Sequence, residues 1–154
     1  MSALKSLSLA IELSVIKRDQ ALAQLQKTVQ AHAFAQEQQQ QLKQYADETD
    51  ARWTRSGQAG TTPELMQHHY QFMGRLTQAI ALQDGVLSGT TQRVEAAKQV
   101  LLQAEFRLAS LKQVLASRQA DLAKSQQRRE QKQMDEFAAL QTQRHKRIQA
   151  ENNV

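Results

Sequence analysis

The sequence predicts an all-α protein: an antiparallel two-helix coiled-coil hairpin with an overhanging C-terminal helix end. Three observations predict it. Turn formers are scarce, with one Pro and five Gly in 154 residues. Ala, Leu, Gln, Lys, Arg and Glu dominate, and all are good helix formers. Apolar residues recur at a strict seven-residue spacing through most of the second half, the signature of a helix wound against a partner helix. Aromatics make up 5% of the chain, too few for a globular core but enough for a seam.

Helix one is expected over about residues 3–55. Leu4, Leu7 and Ile11 open its apolar stripe. Val15, Leu22 and Val29 continue it at spacing seven, with Leu25 and His32 at the intervening position. The step from Ile11 to Val15 shifts the phase by four, as a stutter does. The Gln-rich stretch from Gln36 to Gln41 reads as a solvated helix face, and the pattern resumes with Leu42, Tyr45 and Trp53.

The one clear break spans residues 56–62. Gly57 and Gly60 suit the left-handed conformation that ends a helix. Thr62 then caps a new helix, Pro63 fits its first position, and Glu64 complements its dipole.

Helix two is expected over about residues 63–147. From Met66, every seventh residue is apolar: Met73, Ile80, Leu87, Val94, Leu101, Leu108, Leu115 and Leu122. The companion position, three residues on, is weaker: His69, Leu76, Gln83, Thr90, Ala97, Ala104 and Leu111, with Arg118 last. Alanines there allow close approach, and polar residues can fix register. Gly85 and Gly89 each cost ~1 kcal/mol relative to Ala. Leu87 and Val94 nevertheless keep phase, so a continuous helix is expected. The short link favours an antiparallel pair with Leu4 roughly opposite position 116. Helix two then overhangs by about 30 residues, or ~45 Å at helical rise. Leu122, Met134, Phe137 and Leu140 lie on that overhang, and a covering partner would explain them. The whole chain, 1–154, is read as this single hairpin.

Motifs for chemistry are lacking. There is no cysteine, hence no disulfide framework and no thiolate. The glycines match no phosphate-binding loop and no dinucleotide fingerprint. His32, His68, His69 and His145 are too scattered to hold a metal, since even the adjacent pair points in different directions on a helix. No catalytic, metal or cofactor site is expected, and the chain is read as a non-enzyme. No apolar run reaches the ~20 residues that span a bilayer. The N-terminus lacks the unbroken apolar core of a signal peptide, so a cytoplasmic protein without membrane insertion is expected. The net charge of +5 permits an acidic partner. Lys124, Arg128, Arg129, Lys132, Arg144, Lys146 and Arg147 crowd the C-terminal end. Only Phe137 lies among them, which is poor for stacking on bases, so nucleic acid is not an expected partner.

The order of features resembles the flagellar FliJ family, coiled-coil components of type III export. Three segments carry the resemblance. The first is Lys17-Arg18-Asp19-Gln20-Ala21 with the Ala/Leu/Gln repeat after it. The second is Gln41 to Tyr45, followed across the bend by Tyr70-Gln71-Phe72, Leu76 and Gln78-Ala79-Ile80. The third is Arg129-Glu130-Gln131-Lys132-Gln133-Met134-Asp135-Glu136-Phe137-Ala138.

The resemblance implies a hairpin similar to the central stalk of rotary ATPases, whose end bearing both termini inserts into the hexameric export ATPase. It implies contact with the cytoplasmic domain of the export-gate protein FlhA, possible escort of export chaperones, and a place beside the inner membrane at the flagellar base. By position, Gln38, Leu42, Tyr45, Phe72, Leu76 and Ala79 match the family's export-gate surface. The family often carries a second aromatic one turn after the tyrosine, where this chain has Thr49. The segment expected in the ATPase includes Arg128, Arg129, Gln131, Lys132, Asp135, Glu136 and Phe137. A different cytoplasmic coiled-coil adaptor or chaperone explains the periodicity equally well, but not the C-terminal motif.

Overall fold

The computed structural model describes residues 2–57 and 60–153. Two helices account for nearly all of them: α1 (Ser2–Gly57) and α2 (Pro63–Asn152). The fold is all-α, as expected. α2 runs through Gly85 and Gly89 without interruption and reaches Asn152, beyond the expected end at 147.

The bend divides its labour differently from the expectation. Gly57 remains the last residue of α1, and of the described residues only Gly60 takes a positive φ, 95°. The Gly60 amide donates to the Gly57 carbonyl at 3.4 Å, closing the helix end. Thr62 caps α2 as its position predicts, its Oγ1 accepting from the Leu65 amide at 3.3 Å. Gln58 and Ala59, within the expected bend, lie outside the described residues.

The chain forms two compact units. In the unit Leu13–Arg107, α1 and α2 lie antiparallel on either side of the bend. Side chains bridge them at several levels. Gln83 donates to the Ala35 carbonyl at 2.9 Å, His32 meets Thr90, and Gln39 donates to Asp84. The Gln83–Ala35 bond sets a register that places Leu42 level with Leu76, Thr28 with Thr90, Ala21 with Ala97 and Ser14 with Ala104.

This register corrects the expected phase of helix one. No stutter carries the seam to Val15, Leu22 and Val29. Ser14, Arg18, Ala21, Leu25, Thr28, His32 and Ala35 are buried or half-buried, an unbroken alternation of four and three. Leu22 and Val29 remain 41% and 46% exposed, one residue off the seam. The reason is steric. Small residues on both helices face one another, and a Leu at those levels would hold the backbones apart.

The other unit comprises Met1–Glu12 and Leu108–Val154. Leu4 and Leu115 line one groove there, within a residue of the expected pairing. Leu108 is almost fully buried. Beyond Leu115, every described residue of α2 is exposed.

Candidate partner-binding surfaces

Two surfaces stand out, one in each unit. Near the bend, the Tyr45 and Phe72 rings meet edge to face, 5.9 Å apart at 85°. Both lie beside the seam, where successive turns of α1 and α2 form a shared flank. Trp53 stacks flat on His69, with centroids 4.2 Å apart, and Asp50 approaches the same imidazole at 3.9 Å. The apolar pattern places Trp53 on the stripe of helix one and His69 at the companion position of helix two, without linking the two. Only the antiparallel register brings them together.

Of the residues matched to the export-gate surface, Tyr45 is half exposed, and Gln38 is exposed on the same side of α1. Phe72 and Ala79 are partly covered on the facing flank of α2. Leu42 and Leu76 are different. Leu76 is 7% exposed and Leu42 sits level with it in the seam. These two build the platform on which the exposed members stand.

Thr49, in place of a second aromatic, faces the seam with its Oγ1 buried and without a hydrogen-bond partner among the described residues. Other threonines here return their hydroxyl to a carbonyl four residues back, as Thr54 does to Asp50 and Thr77 to Met73.

The second surface is the bare end of α2. Leu122, Met134, Phe137, Leu140 and Ile148 are all more than half exposed. The seven-residue series ends at Leu122, after which its positions fall on Arg129 and Glu136. The apolar residues beyond therefore occupy a different face. Arg128, Arg129 and Lys132 surround them, and Gln131 donates to Asp135 at 3.3 Å, while Glu136 and Phe137 are exposed one turn on. No group of three or more His, Cys, Asp or Glu that could hold a metal occurs among the described residues. Neither helix is long and apolar enough to cross a membrane.

A family model described as flagellar FliJ protein matches residues 4–147. The chain is a member of the FliJ family. No curated protein and no solved structure gives a significant match. Membership makes this FliJ-family chain a component of flagellar type III protein export. It also accounts for the ordered motifs on both sides of the bend, which the match encloses along with the Arg129 to Ala138 segment.

Proposed function

We propose that this FliJ-family protein is a non-enzymatic stalk of the flagellar export apparatus. The bare end of α2 docks inside the hexameric export ATPase, and the flank carrying Tyr45 and Phe72 contacts the cytoplasmic domain of the export gate. The stalk thereby couples the two, at the cytoplasmic side of the flagellar base, and export chaperones are further clients.

The observation that carries the ATPase half is the complete exposure of α2 from residue 116 to 152, with large apolar side chains among basic ones. A helix this long, lacking any partner from α1, gains burial for Met134, Phe137 and Leu140 only when another protein surrounds it. Arg128, Arg129 and Lys132 suit an acidic lining. The edge-to-face pair of Tyr45 and Phe72 supports the gate half, since rigid aromatics with little entropy to lose are effective contact residues.

The test is a pull-down of the export ATPase with the intact protein and with a Met134→Ser, Phe137→Ser variant. Recovery of the ATPase should fall with the variant, and equal recovery would remove the docking assignment. Tyr45→Ala and Phe72→Ala should each weaken binding of the gate domain without lowering helicity. Unchanged affinity in both would remove that surface.

A further inference from the structure

Within the unit Leu13–Arg107, α2 carries a second seam beside the one that faces α1. Leu82, Val86, Gly89, Arg93, Ala96 and Val100 recur at alternating spacings of four and three. This is the spacing of a helix-packing stripe. Val86, Arg93 and Val100 each precede a residue of the occupied seam by one, so the stripe runs alongside it. Its large members are open: Leu82 is 75% exposed, and Val86 and Val100 are at least half exposed.

α1 supplies the other wall. Lys27 and Ala31 line the same shallow groove as Arg93. Phe34, one turn from Ala31, is 61% exposed. The floor near the middle is low, because a Cβ built on Gly89 would meet nothing within 4 Å.

The charges on this side have one sign. On α1, the rows 17, 24, 31, 38 and 20, 27, 34, 41 carry Lys17 and Lys27 and no acid. On α2, the rows 79, 86, 93, 100, 107 and 82, 89, 96, 103 carry Arg93 and Arg107 and no acid. None of these four is in an ion pair among the described residues. The opposite flank of α2 carries Asp84, Lys98 and Glu105, both signs together.

We infer that this groove receives an amphipathic helix of a partner protein, with acidic residues bordering its apolar stripe, to form a local three-helix bundle. Apolar walls, a low floor at Gly89 and unpaired cations along both edges fit such a helix. A second copy of the same face would set Arg93 and Lys27 against like charges, which disfavours self-pairing. The rows run on towards the bend through Gln38 and Ala79, which belong to the gate surface, but Leu82, Val86, Lys27 and Arg93 do not, so variants at these four test the groove separately from the proposed function.

The full chain is titrated with a fluorescent designed helix about three heptads long, bearing a Leu/Ala stripe bordered by Glu. A second peptide has Lys in place of each Glu. The acidic peptide is expected to bind at least about ten-fold more tightly. Leu82→Glu and Val86→Glu are expected to abolish that binding while leaving the circular-dichroism melt unchanged, since both side chains are exposed. A Lys27→Glu, Arg93→Glu variant is expected to reverse the preference between the two peptides. Equal binding of both peptides, binding of neither, or binding indifferent to Leu82→Glu overturns the inference. So does a dimer in sedimentation equilibrium that Leu82→Glu dissociates, because the occupant is then a second copy.

Discussion

His32 Nδ1 lies 2.8 Å from Thr90 Oγ1, joining α1 to α2 across the seam. The same hydroxyl is 2.9 Å from the Leu87 carbonyl, which can only accept. Its single hydrogen goes to Leu87, so Thr90 accepts from His32, and the imidazole carries its proton on Nδ1. Thr90 is buried, and an unanswered donor there is costly.

Thr90→Val therefore destabilises by about 1–3 kcal/mol, because it leaves the His32 donor facing a methyl group. His32→Leu together with Thr90→Val recovers much of that loss. A double-mutant cycle by urea denaturation should show strong non-additivity, and simple additivity would mean that the pair is not coupled. Long-range nitrogen–proton correlation spectra should find the His32 proton on Nδ1.

Close packing of small residues makes a second prediction. Ala21→Leu and Ala97→Leu, at levels where the two helices face each other, overpack the seam and cost about 1–3 kcal/mol each. Leu22→Ala, at a half-exposed flank, costs less than either. Thermal melts of the three variants check the order, and a larger loss for Leu22→Ala would restore the shifted phase that the sequence favoured.

Thr49 should be improvable. Its buried Oγ1 lacks a partner, so Thr49→Val removes an unanswered polar group at nearly constant shape. The melting temperature should rise or stay level. A clear fall would show that the hydroxyl is satisfied in solution.

Trp53 is the chain's single tryptophan, so its emission reports on the bend alone. It stacks on His69, whose side chain is nearly enclosed. His69→Ala uncovers one face of the indole, and the emission maximum should move to longer wavelength. An unchanged spectrum would mean that the stack does not persist in solution.

The sequence by itself determined the helicity, the place of the bend and the main seam of α2. Thr62, Pro63 and Glu64 start a helix through local bonding and charge, and the series from Met73 to Leu115 holds one phase. The bare end beyond residue 115 was also legible, because the two expected helix lengths are unequal. The tertiary structure alone decided which row of α1 faces α2. Ranking residues by hydrophobicity favours Val15, Leu22 and Val29, whereas the seam takes Ser14, Ala21, Thr28 and Ala35. Helices approach closely only where side chains are small on both, and that depends on register, which neither helix carries alone. Register likewise brought Trp53 onto His69, His32 onto Thr90 and Gln83 onto the Ala35 carbonyl. Each is a contact between residues far apart in sequence, and only the antiparallel fold makes them neighbours.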